Sequence, residues 1–185
     1  MEIIESSIED VLTALRAGKP VLVTDAEDRE DEGDAIIAAE FATTEWMAWM
    51  IRYTSGYICA PMTEQRANEL DLPLMWVKTQ DPHRTAYTVS VDATDRATTG
   101  ISAADRGLTA RVLADRSSGP LSLIRPVHVL PLRATYAAVL ERARHTEAAV
   151  HLRQLACLAP VAISAQISTG CVTCVTLASF FSTSL

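Results

Sequence analysis

Apolar side chains recur at Ile8, Val11, Leu12 and Leu15, the i, i+3, i+4, i+7 spacing that predicts one buried helical face over residues 7–17. Ser6 and Glu9 stand before it at capping-box spacing, and Gly18 stops it. Pro20 then opens a short apolar run, Val21-Leu22-Val23, and a second run covers Ala35-Ile36-Ile37-Ala38-Ala39; both read as buried strands. Thr43 or Thr44 caps a helix carrying Trp46, Met47, Met50 and Ile51, large residues expected in the core. Gly56 to Ala60 reads as a strand ended by Pro61, and Thr63 caps a short helix to Leu70. Tyr87, Val89 and Val91 alternate with Thr88, Ser90 and Asp92, the period of a strand with one wet face. Ser102 and Asp105 repeat the capping-box spacing and predict a helix to about Ala114.

Between the first two strands lies a segment of another kind. Residues 25–34 hold seven carboxylates (Asp25, Glu27, Asp28, Glu30, Asp31, Glu32 and Asp34) against the single Arg29, so nearly all of the chain's net charge of −7 is gathered there. Two readings stay open on the residues alone: a solvated acidic surface loop, or an ordered loop whose counter-charge is a hard divalent cation held by oxygen ligands. The net charge and the lack of basic clusters exclude nucleic acid as the main partner. No run approaches the roughly 20 apolar residues of a membrane span, and the acidic N-terminal stretch is the reverse of a signal peptide, so a cytoplasmic protein is expected. The length suits one domain with a proper core. Cys59, Cys157, Cys171 and Cys174 are read as free thiols, and the lone Cys171-Val172-Thr173-Cys174 spacing as chance.

Two further stretches invite chemistry. At Thr98-Thr99-Gly100, backbone N–H groups at a helix start are of the kind that hold phosphate. Arg125-Pro126-Val127-His128 sets a histidine between prolines, and Arg142-Ala143-Arg144-His145-Thr146-Glu147 sets another just before a helix with Thr146 as its cap. Two histidines in polar loops, with an acidic loop that lacks its cation, point to metal binding or proton transfer.

Taken in order, the 25–34 run, Thr54-Ser55-Gly56 with Cys59, Thr98 to Arg106, Arg125-Pro126 with His128, and His145-Thr146-Glu147-Ala148 resemble 3,4-dihydroxy-2-butanone-4-phosphate synthase over about residues 5 to 165. That resemblance implies an α+β fold of three layers, α/β/α, around a central mixed, twisted sheet. It implies a homodimer with sites at the interface, acting on D-ribulose 5-phosphate to release formate with Mg2+ or Mn2+. In some members the domain is fused to GTP cyclohydrolase II. Carried over by position, Glu30 and His145 are the expected metal ligands; Arg29, Glu30, Asp34, Thr99, Arg142 and Thr146 the substrate contacts; and His128, Glu32, Asp34, Cys59 and position 166 the reacting groups.

The chain departs from the family pattern at named places. Ala26 replaces an aspartate in the acidic run, Val127 and Arg144 stand where the family has glycine, and Gln166 stands where it carries a glutamate essential to the reaction. A side chain at a left-handed glycine position costs about 1 to 2 kcal/mol, and an amide neither takes up a proton nor bears charge. The alternative reading is therefore a catalytically impaired homologue that keeps the fold and binds a sugar phosphate or partner. Residues 1–185 are expected as a single synthase-like domain in which 167–185, a stretch without charge, forms a divergent or truncated tail of the sort a frame change produces.

Overall fold

The computed structural model describes residues 6–24, 33–82, 84–134, 145–167 and the backbone of 177–179. Helix α1 (Ile8–Arg16) buries Val11, Leu12 and Leu15. Its cap is Ser7, whose side chain accepts from Asp10 N–H, one residue later than the Ser6–Glu9 pairing expected. Strands β1 (Val21–Thr24) and β2 (Gly33–Ala38) form an antiparallel pair, with Gly33 and Asp34 of the acidic segment already in β2 and its residues 25–32 outside the described residues. Helix α2 (Thr44–Tyr53), capped by Thr43, sinks Met47 and Met50 into the core.

Strand β3 (Cys59–Thr63) leads into helix α3 (Glu64–Glu69), capped by Thr63. β3 runs through Pro61 instead of stopping there. Its partner on one side, β5, pairs along the whole strand, while on the other side β6 pairs only at Cys59, and Val161, just before β6, makes an isolated bridge at Met62, so no ladder crosses Pro61 on that side. Strand β4 (Val91–Ala93), helix α4 (Ala103–Ala114), strand β5 (Leu123–Ala134), helix α5 (His145–Leu155), and strands β6 (Ala162–Gln166) and β7 (Leu177–Ser179) complete the order.

Among the described residues seven strands form one mixed sheet in the order β4-β5-β3-β6-β2-β1-β7. α1 and α5 cover one face, where Val11, Leu15, Ala149 and Leu152 pack on Val21, Val23, Ile36 and Ala162. The other face carries Leu22, Ala35, Ile37, Ala60 and Ile163 against Met47 and Met50 of α2 and Ala110 and Leu113 of α4. Two helical layers on a mixed sheet make the expected α/β/α arrangement. β7, inside the segment expected as a tail, pairs in parallel with β1 and forms the edge of the sheet.

The alternation ahead of β4 has a meaning other than a wet face. Thr88, Ser90 and Asp92 are buried, and their side chains serve β5: Thr88 Oγ1 donates to Pro131 O, Ser90 Oγ to Val127 O, and Asp92 meets His128. Polar side chains were kept at these positions because the neighbouring strand, not water, satisfies them. Val127 lies in the extended strand β5, outside the residues of positive φ, so the strain expected of a side chain there is absent. Arg144 is outside the described residues.

Candidate functional site

The register of β2 and β6 sets Asp34 directly opposite Gln166. Ser164, two residues before Gln166 and so on the same face, is opposite Cys59 of β3. That face is the one α5 covers. α5 ends close to the start of β6, which follows after the short link 156–161. Its eleven residues rise about 16 Å, against roughly 13 Å from Ala162 to Gln166, so the helix is long enough to span the sheet between the two ends of β6. The start holds His145 and Thr146. Both lie within the first helical turn, since α5 begins at His145, instead of His145 preceding a cap at Thr146.

His145 Nε2 is buried and faces no hydrogen-bond partner among the described residues. A buried imidazole nitrogen without a partner forfeits about 1–3 kcal/mol, and a cation at that nitrogen removes the deficit, so this residue fits a metal ligand. Among the described residues no three His, Cys, Asp or Glu side chains converge as a metal cluster. Glu30, the other ligand expected, lies outside the described residues, as do Arg29, Glu32 and Arg142.

Asp34 is half-buried and Gln166 exposed at the open end of the face. Cys59 is buried, and burial, reinforced by the negative charge of Asp34, pushes its thiol up to about 12. At neutral pH it is a small neutral group, neither thiolate nucleophile nor base. Tyr57 and Tyr87 stack edge to face beside it with centroids 6.5 Å apart. Burial first, then the charges of Cys59, Tyr57, Asp81 and Asp34, raises the Tyr87 phenol to about 12.

His128 belongs to a second cluster. Its Nδ1 lies 2.6 Å from Asp92 Oδ2 and its backbone N–H donates to Asp92 Oδ1 at 3.3 Å. A carboxylate only accepts, so Nδ1 carries the proton and Nε2 is the basic nitrogen. Arg106 Nη1 donates to Gly56 O at 3.2 Å. Burial lowers the Arg106 guanidinium, and Asp92 acts against that shift.

Thr99 is exposed on the turn beside this pair. Three of the N–H groups there are already engaged, because Asp105 accepts from Thr98 N and Gly100 N, and Ser102 Oγ from Asp105 N. The side chain of Asp105 is the anion this turn was built around. β5 and β2 are separated by β3 and β6, about 14 Å between backbones, so within one chain His128 does not join Asp34. The sequence alone missed Asp92, Gly100, Arg106 and Tyr57; the one available signal was a carboxylate ending an alternating run.

Comparison with known proteins gives one consistent result. The family model described as 3,4-dihydroxy-2-butanone 4-phosphate synthase matches residues 9–180. The chain is 53% identical over 161 residues to the riboflavin biosynthesis protein RibBA of Salinispora arenicola, covering 87% of this chain and 38% of that one. It is 49% identical over 160 residues to the 3,4-dihydroxy-2-butanone 4-phosphate synthase of Candida albicans, covering 86% of this chain and 78% of that one. It thus spans about two fifths of the length of its RibBA relatives. A solved structure of a 3,4-dihydroxy-2-butanone 4-phosphate synthase in complex with two magnesium ions superposes with a TM-score of 0.85 at 51% identity, covering 88% of this chain and 76% of that one.

Proposed function

The chain belongs to the 3,4-dihydroxy-2-butanone 4-phosphate synthase family, and from that premise we propose that it is a lyase converting D-ribulose 5-phosphate to L-3,4-dihydroxy-2-butanone 4-phosphate and formate in riboflavin biosynthesis. The observation that carries the reading is the face shared by Asp34, Gln166 and Cys59 on the side of the sheet that α5 covers, together with His145 at the start of α5, whose Nε2 is buried and meets no hydrogen-bond partner among the described residues. Glu30 and His145 are the residues that would hold Mg2+ or Mn2+. When bound, such an ion supplies Lewis-acid stabilisation of charge on substrate oxygens.

The remaining work falls to the chain's own groups. Arg29, Arg142 and Thr146 bind and orient the sugar phosphate, with Arg142 and Thr146 on the phosphate and Thr99 at the second cluster. Asp34 and Glu32 are the carboxylates that would take a proton next to the ketone. His128, its Nδ1 held by Asp92, presents Nε2 to take up or return a proton. Cys59 contributes a neutral thiol to the same face. The five-carbon substrate yields the four-carbon product and formate, with water lost early in the sequence regained at the cleavage. A homodimer would bring the His128 cluster of one copy towards the Asp34 edge of the other, and the distance between the two clusters within one chain supports that arrangement.

A second reading is favoured by Gln166. It stands in register with Asp34 and offers an amide where a proton-transferring group is wanted, which suits an impaired homologue. One assay separates the two: formate release from ribulose 5-phosphate with Mg2+, for the full chain and for Gln166→Glu. The synthase reading expects formate from the chain as it stands, and a gain of about 10²- to 10⁴-fold in Gln166→Glu marks the impaired one. No formate from either variant contradicts the assigned reaction.

A further inference from the structure

The second cluster contains a device that the reaction as outlined does not use. Gly100 sits at φ +84 against the Asp92–His128 pair so closely that a Cβ there would lie 2.6 Å from Asp92 Cγ and 2.7 Å from His128 Nδ1, with the Asp92 Oδ2 atom nearer still. The pair and the turn occupy the same space up to the last atom. What fixes the turn is Asp105, 4% exposed in the first turn of α4. Its carboxylate accepts from Thr98 N at 3.0 Å, Thr98 Oγ1 at 2.7 Å and Gly100 N at 3.1 Å. Its own N–H is held by Ser102 Oγ, and its carbonyl accepts from Thr109 Oγ1, which in turn accepts from Ala93 N, next to Asp92. One buried carboxylate therefore ties the turn in front of the pair, and its backbone ties the strand that carries Asp92.

We infer that Asp105 and Gly100 are positioning residues for His128: Asp105 holds Gly100 as a wall that leaves the imidazole one place to stand, with Nδ1 on Asp92 and Nε2 outward. Neither touches the reacting atoms. The role in turnover rests on the synthase reading; the role in holding the imidazole does not.

The test uses the full chain, labelled with 15N-histidine, and the variants Asp105→Asn and Gly100→Ala. The His128 resonances are identified by their loss in His128→Gln. Circular dichroism establishes that each variant folds, and if Gly100→Ala does not, Asp105→Asn carries the test alone. In the native chain the His128 pattern is that of the Nδ1–H tautomer, with a strongly deshielded Nδ1 proton. In the variants that proton signal broadens or disappears and the tautomers mix, while kcat for formate release falls about 100-fold, the cost of a misplacement of about 1 Å, with KM within about threefold. His128 resonances unchanged in a folded variant overturn the inference, whether or not kcat falls. If the native chain and Gln166→Glu release no formate, the synthase reading fails, and the imidazole resonances still decide the positioning claim.

Discussion

Cys157 occupies the left-handed position that ends α5, with φ 58 and the Leu158 N–H reaching back to Arg153 O. The same closure is made by Gly18 after α1, where the Lys19 N–H reaches Ala14 O. A Cβ at such a position costs about 1–2 kcal/mol, so Cys157→Gly is expected to raise the urea-unfolding free energy by about 1 kcal/mol, and an unchanged or lower midpoint would refute the strain. The two cysteines of known environment differ in kind. Cys59 is buried with its thiol raised to about 12, and Cys157 is exposed. Iodoacetamide at pH 8, followed by peptide mapping, is expected to label Cys157 and spare Cys59 until the chain unfolds. The linkage has a definite sign: a folded-state pKa above the ordinary 9.0 means the native state retains a proton the unfolded chain gives up, so stability is lost as pH rises from about 9 towards 12.

At the scale of elements, the turn before α4 is the clearest case of local sequence setting local structure. Three hydrogen bonds from Thr98 and Gly100 hold the Asp105 carboxyl at about 2, below its ordinary 3.8. A depressed carboxylate stabilises the fold above its unfolded pKa and ceases to as pH falls through the folded one. Acid unfolding followed by circular dichroism is therefore expected to show a decline between about pH 4 and 2 that is smaller in Asp105→Asn, whose stability at pH 7 is lower throughout; an identical acid limb in both would contradict this.

The helices were legible because caps and apolar spacing are local: Thr43, Thr63 and Ser102 all cap where the residues say. What failed was non-local. Pro61 was a break only until β5 and β6 were known, and the polar positions Thr88, Ser90 and Asp92 looked wet because nothing near them in sequence says that β5 will lie alongside.

At the scale of the whole molecule, the sheet order decides which distant residues meet. β2, β3 and β6 are neighbours though far apart in sequence, and their register collects Asp34, Cys59 and Gln166, while α5, which begins at His145, packs over the same face. Motif resemblance had named these four residues; only topology gives the reason they share a face. The same order keeps His128 three strands from Asp34, which spacing along the chain could not indicate.

The proposed function requires the acidic run at 25–34 and His145 to serve one cation. The direct measurement is a crystal of the full chain grown with Mn2+, with anomalous scattering collected for the metal. One peak about 2.0–2.3 Å from both His145 Nε2 and a Glu30 carboxylate oxygen is the expected result. A peak bound elsewhere, or a His145 nitrogen with no metal while Mn2+ saturates the protein, would contradict it.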